Sequence, residues 1–180
     1  MADALLPIDL FQRFDHEDGE KLLASVRQRQ PAMCGAVATA RAAGVPVVYC
    51  NDRGDRWDAD APALVRDALT GPAGGAVASL EPQADDFFVL KPRYSIFDHT
   101  PLELLLRELE VERLVLIGAA TEMCVLQSAI DGKEIGYKIT ILRDACAAVD
   151  EEIEALALEY AERVVGVFVE TAADWRPAAR

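Results

Sequence analysis

Six short runs of aliphatic and β-branched residues, each set off by a segment of helical spacing or a loop, limit what this chain can fold into. They are "ALLPID" (4–9), "VPVVYCN" (45–51), "DFFVLK" (86–91), "VERLVLIG" (111–118), "YKITILRD" (137–144) and "VVGVFVE" (164–170). Each is close to continuously apolar rather than alternating, the pattern of a strand covered on both faces. The segments between them read as helices. One covers 18–44, with Leu22, Leu23, Val26, Met33, Val37 and Ala40 on its apolar face. Pro31 is expected to kink or split it, and Gly44 to close it. A weak helix follows at 63–71, and another at 101–109 with Thr100 as N-cap and Pro101 in its first turn. Two more cover 121–136, ended by Gly136, and 150–163, with acids in the first turn where the helix dipole favours them. Strands alternating with helices predict an α/β fold: a three-layer α/β/α sandwich around a central, mainly parallel, six-stranded Rossmann-like sheet.

The 180 residues suit one domain over 1–180 and fall short of the roughly 250 needed for a closed eight-fold barrel. Apolar content of 52% supports a packed core. With 31 acidic against 18 basic residues the formal charge is −13, which repels phosphate backbones and anionic lipid surfaces. Neither a nucleic-acid partner nor a membrane partner is expected, and no apolar stretch approaches the roughly 20 residues of a spanning helix. The start, "MADALLPIDLF", lacks the basic region of a secretory signal. The four cysteines (Cys34, Cys50, Cys124, Cys146) include no CxxC pair. Reduced thiols and a cytoplasmic location are the expectation.

In open parallel sheets ligands gather at the carboxyl ends of the strands. Here those ends offer Asp9, Asn51 with Asp52, Lys91, the turn "GAATEMC" (118–124) and Asp144. A thiol at a helix start beside an ammonium group is expected to lose its proton readily. A nearby carboxylate can take that proton and pass it to a leaving group. Singly, each residue has a plainer reading: Cys124 as core filler, Asp9 as a turn residue, Lys91 as a solvated strand end. Their conjunction at three strand ends favours chemistry. Cys34, Cys50 and Cys146 have no such company and read as filler.

The order strand–Asp, strand–Lys, then G-x-x-T-x-x-C-V at a strand-to-helix turn resembles the isochorismatase-like cysteine hydrolases. The likeness extends through "ALLPIDLFQRFDHEDGEKLL", "VVYCNDRGDRW", "VLKPRYSIFDHTPL" and "LIGAATEMCVLQSAIDGKEIGYKITILRDACAA". It implies a hydrolase of small amide, ureido or carbamoyl compounds that works through a thioester on Cys124. Asp9 would shuttle protons, Lys91 would hold the thiolate and position the acid, and the N–H groups of Ala120 and Cys124 would form the oxyanion hole. A cis peptide between Ala119 and Ala120 would aim one of those donors. By the same likeness a homo-oligomer, dimer or tetramer, is expected.

Phe14, Trp57, Tyr94 and Phe97 fall near predicted strand ends and could equally wall a small substrate pocket or pack a lid. Arg53, Arg56 and Arg93 could receive a substrate carboxylate or lie solvated on loops. Metal-dependent nicotinamidases of the family carry an Asp and two His around the second-strand loop. This chain offers Asp52, Asp55, Asp58 and Asp60 there, with its two histidines, His16 and His99, in other segments. No metal and no other cofactor is therefore expected. Rival readings are a vinyl-ether hydrolase of isochorismatase type, which does not use the cysteine, and a non-catalytic binding or scaffold protein of the same fold. A thiol redox protein is a third, weakened by the missing CxxC.

Overall fold

The computed structural model describes residues 2–54 and 56–178. β1 (Asp3–Ile8), whose six residues are all buried, lies inside a six-stranded sheet. The others are β2 (Val48–Asp52), β3 (Phe87–Lys91), β4 (Arg113–Ala119), β5 (Lys138–Ala147) and β6 (Phe168–Glu170), in the order β3-β2-β1-β4-β5-β6. Every neighbouring pair is parallel. The chain steps outward from β1 to β3, then returns to lay β4 against β1. That reversal opens a crevice at the carboxyl ends of β1 and β4.

The helices are α1 (Gly19–Ala42), α2 (Ala61–Thr70), α3 (Gly74–Val77), α4 (Leu102–Glu108), α5 (Leu126–Ile135) and α6 (Glu151–Tyr160). Successive strand residues point to opposite faces, and each face has its own apolar partner. Leu5, Tyr49, Val115 and Ile117 pack with Leu22, Val26 and Met33 of α1. Leu6, Ile8, Cys50 and Leu116 pack with Leu102 and Leu106 of α4 and Ala129 of α5. Two buried faces are why the strand sequences run apolar without alternation. Among the described residues no helix is long and apolar enough to cross a membrane.

Three elements depart from the sequence expectation. Pro31 neither ends nor splits α1, which runs through it. It faces solvent, where water can serve the carbonyl left without its helical donor. β5 continues to Ala147, three residues past the expected end, because its register jumps: Leu116 pairs with Ile141 but Gly118 with Cys146. Asp144 thus lies inside an irregular strand instead of at its end, and its Oδ1 accepts from Ala172 N at 2.7 Å. β6 is cut to three residues because Ala161–Val165 form a π-helical turn closed by Gly166 at φ 75°.

Pro7 sits in a central strand, where a missing donor is ordinarily excluded. The ladder to β2 carries on around it: Leu5 N donates to Pro46 O and Asp9 N to Cys50 O, both at 2.9 Å. The position between them would have served Val48 O, which instead accepts from Cys50 Sγ at 3.6 Å. Asp9 is anchored on the far side of the gap.

Gly118, opposite Ile8 in the β1–β4 ladder, has φ 118°. A Cβ added there would lie 2.1 Å from Ile8 O and 2.6 Å from Ile8 N. Both the backbone conformation and the close approach require glycine. Gly118→Ala is expected to cost about 3 kcal/mol or more, from strain and overpacking together. A urea midpoint unchanged from the parent would show that β1 and β4 can part without penalty.

Candidate active site

Asp9 is the first residue beyond β1 and takes φ 50°, a left-handed conformation that Asp tolerates better than most residues. Its Oδ1 accepts from Asp52 N at 2.6 Å, and its Oδ2 lies 2.7 Å from Lys91 Nζ. Lys91 ends β3 in register with Asp52 and is fully buried. β3 stands two strands from β1, roughly 10 Å at ordinary strand spacing, and the long lysine arm crosses that gap. The ammonium also donates to Arg93 O at 2.9 Å and to Cys124 Sγ at 3.5 Å, with Asp52 Oδ2 at 4.0 Å.

Cys124 reaches this cluster from the turn after β4. The Ala119–Ala120 peptide is cis, and Thr121–Val125 wind into a π-helical turn that leads into α5. Such turns recur at functional sites. Met123 N and Val125 N donate to Ala120 O at 3.1 and 3.2 Å. Ser128 Oγ donates to Cys124 O at 2.5 Å and accepts from Ile96 N at 3.1 Å, tying the turn to the segment after β3. The half-buried thiol lines the same cavity as the Asp9 carboxylate, and both flank the Lys91 ammonium.

Burial raises the pKa of Asp9, against the lowering effect of Lys91 and of its hydrogen-bond donors. For Lys91, burial opposes the charge, but Asp9, Cys124 and Asp52 more than offset it and the pKa rises. Cys124 is pushed up to about 12, first by burial and then by the Asp9 charge, against the pull of Lys91. A readily ionised thiol was the expectation from sequence, and these surroundings oppose it. The shift favours the protonated thiol.

A cavity of about 310 Å³ opens over the cluster, lined by Asp9, Gln12, Asn51, Tyr94, Met123 and Cys124 together with Ala119 and Ala120. Of the four aromatic residues expected at a pocket, Tyr94 lines it. Phe14 turns inward at φ 55° and joins the core beside α1. Trp57 is 88% exposed and lies under Arg53, whose guanidinium carbon is 3.9 Å from the ring centroid. Phe97 stacks on Tyr137 at 6.0 Å and borders an outer groove that shares Asp52 and Tyr94 with the cavity. Arg93 borders the same groove, and Arg56 pairs with Asp58.

His16 is exposed and reaches the cavity rim with Asp18. Gln12 and Met123 were not anticipated. Their adjacency to Asp9 and Cys124 was the available signal, and Gln12 Nε2 donates to Asp9 O at 2.9 Å.

The acidic loop is spoken for by protein partners. Asp52 Oδ1 accepts from Gly54 N at 2.6 Å, and Asp60 caps α2 by accepting from Ala63 N at 2.7 Å. Asp55 lies outside the described residues. Among those described, no group of three or more His, Cys, Asp or Glu side chains is placed to hold a metal ion. The donor set does not fit the Asp/His metal site of the nicotinamidases.

The isochorismatase domain model matches residues 3–173. An uncharacterized isochorismatase family protein of Bacillus subtilis, YaaI, is 31% identical over 162 residues, 90% of this chain and 90% of that protein. The ureidoacrylate amidohydrolase RutB of Azorhizobium caulinodans is 32% identical over 172 residues, 82% of this chain and 74% of its own. Among solved structures, N-carbamoylsarcosine amidase from Thermoplasma acidophilum superposes with a TM-score of 0.75 at 26% identity, covering 98% of this chain and 99% of that one. Relatives with a named activity are thus amidohydrolases and amidases, and this chain belongs to the isochorismatase family.

Proposed function

We propose that the protein is a cysteine hydrolase that cleaves the C–N bond of a small amide, ureido or carbamoyl compound. The observation that carries this reading is one buried ammonium, Lys91 Nζ, 2.7 Å from Asp9 Oδ2 and 3.5 Å from Cys124 Sγ, the latter two residues lining a cavity of small-molecule size. The amidohydrolase names of the relatives support it.

The chemistry follows from where the protons sit. Cys124 starts as a thiol, and Asp9 accepts its proton as Sγ attacks the carbonyl carbon. The transient thiolate forms beside the Lys91 ammonium, which favours it at that moment. Ala120 and Cys124 border the cavity, and their N–H groups are assigned to the oxygen that becomes negative. On collapse the C–N bond breaks and the amine leaves with the proton held by Asp9. A thioester remains. Asp9, ionised again, takes a proton from water as the water oxygen attacks the thioester carbon. The carboxylic or carbamic acid departs, and the proton returns to Cys124. In this scheme Lys91 keeps its charge throughout.

Cys124→Ala is expected to abolish turnover while leaving the fold intact. A screen of small amides and ureas for ammonia release supplies the substrate, and near-parental turnover by the alanine variant would sink the mechanism. Iodoacetamide followed by peptide mapping is expected to modify Cys124 well ahead of Cys50 and Cys146, which are fully buried.

The pH dependence has a definite sign. Turnover needs Asp9 ionised, so activity is present above its pKa and lost as pH falls through it. Because burial lifts that pKa above 3.8, the acid limb of kcat/KM is expected above the range of an exposed carboxylate. Lys91→Met removes the strongest lowering influence and is expected to move the limb of the residual activity higher still. A limb that stays put in the variant would mean that Lys91 does not act on Asp9. Activity is also expected to survive EDTA, because the cluster supplies nucleophile, proton carrier and oxyanion donors from the chain itself. Loss on chelation, restored by one divalent ion, would overturn that part of the reading.

A further inference from the structure

The turn that carries Cys124 is gripped from behind by groups outside the cluster described above. Thr121, its first residue, is 1% exposed, and its Oγ1 lies 2.8 Å from Glu154 Oε1 and 3.2 Å from Ala147 O. Glu154 is itself 5% exposed, on the first turn of α6, and its Oε2 meets Arg29 Nη2 of α1 at 3.1 Å. Arg29 Nη1 donates further to Arg143 O of β5 at 3.3 Å. A parallel tie joins the next residue of the turn, Glu122, whose Oε1 accepts from Val149 N at 2.9 Å. One helix and one strand therefore meet at a single hydroxyl, and α1 braces the helix's carboxylate.

A buried glutamate is costly unless it is matched by partners that need it. Nothing in the chemistry proposed above uses Glu154. We infer that Glu154 is a positioning residue: through Thr121, and braced by Arg29, it fixes the start of the π-helical turn and so the placement of Cys124 against Asp9 and Lys91. The inference rests on the proposed role of Cys124 but not on which bond is cleaved.

Thr121 has one hydroxyl hydrogen and two acceptors in reach. With a proton on Oε1, Glu154 donates to Thr121 Oγ1, and the hydroxyl hydrogen is free for Ala147 O. Burial raises the Glu154 pKa, against Thr121 and Arg29, with Glu122 and Glu151 adding to the rise. A glutamine can reproduce the neutral arrangement, its amide N–H donating to Thr121 and its oxygen accepting from Arg29. Alanine cannot.

The test reads the thiol directly and needs no substrate: the rate of Cys124 alkylation by iodoacetamide near neutral pH. Cys34, half-buried and remote on α1, is the reference thiol in the same molecule. Glu154→Ala and Thr121→Val are each expected to change the Cys124 rate by about fivefold or more relative to Cys34, in the same direction, and the double variant to lie within about twofold of the more affected single, because the two act as one unit. Glu154→Gln is expected to stay within about twofold of the parent. Thermal unfolding monitors the fold. If Glu154→Ala does not fold, Thr121→Val against Glu154→Gln carries the comparison. Parental alkylation rates in Thr121→Val and in any folded Glu154→Ala, single effects that multiply in the double variant, or a glutamine variant shifted as far as alanine would each overturn the inference. Failure of the amidase reading would look different: no ammonia from any small amide, with this pattern of alkylation intact.

Discussion

The Asp9–Lys91 ion pair sets the terms for the rest of the molecule. Removing two charges from water costs several kcal/mol per ion before their attraction is counted, and Lys91 has no exposure at all. Its ammonium is tolerable only where Asp9 Oδ2, Arg93 O and Cys124 Sγ converge on it. That convergence depends on register. Asp52 must stand beside Lys91, Ile8 beside Cys50, and Ile8 beside Gly118. A slip of one residue in any of these pairs would turn a side chain to the opposite face of the sheet. The charge cluster and the pairing of four strands therefore constrain each other. Gly118 matters for the same reason: it lets β4 come close enough to β1 to deliver the turn.

How much of this could be read in the chain follows the distance over which each feature is determined. Strands buried on both faces leave a continuous local signal, so the sheet and its helices were legible with boundaries good to a few residues. Asp9, Lys91 and the cysteine turn were legible because strand ends can be found locally and the parallel topology gathers them. The resemblance in "GAATEMC" then separated Cys124 from the other three thiols. The pocket walls were not legible. Phe14, Trp57 and Phe97 all follow strands, but whether a loop side chain turns inward, outward or toward a neighbouring groove depends on partners far along the chain. Phe14 is drawn down by the α1 core and Trp57 is left outside under Arg53. The irregular β5 was hidden for a similar reason, since a jump in register is a property of two strands and neither sequence shows it alone. Glu154 lies 30 residues beyond Cys124 on a helix whose early acids read as dipole compensation, and its burial against Thr121 appears only when α6 is placed.

The proton inventory also corrects a common shortcut about cysteine nucleophiles. A helix start and a neighbouring ammonium suggest a standing thiolate. Here Lys91 already answers to Asp9, and burial disfavours a second negative charge beside that carboxylate. One positive charge cannot serve two anions in a dry site. In the proposed chemistry one proton passes from thiol to acid as the sulfur gains a bond to carbon. The rise in the Cys124 pKa is thus compatible with the proposed chemistry, in which Asp9, lining the same cavity, takes the proton.

The same burial has a cost for the fold, and its sign can be worked through. Asp9 and Glu154 both have pKa values raised in the folded chain, with burial as the leading cause. A carboxyl group of this kind contributes stability that is fully present below its unfolded pKa and is lost as pH rises through its folded one. At neutral pH each carboxylate therefore favours folding less than its protonated form would, a difference that Lys91 and Arg29 reduce. Ordinary core positions avoid buried acids, and cores are more stable without them. Two such acids flank one cysteine turn, one lining the cavity with its thiol and the other bonded to its first hydroxyl. Their placement makes sense if the turn's geometry and the thiol's proton are what the chain retains, and if stability is supplied by the two apolar layers that flank the sheet.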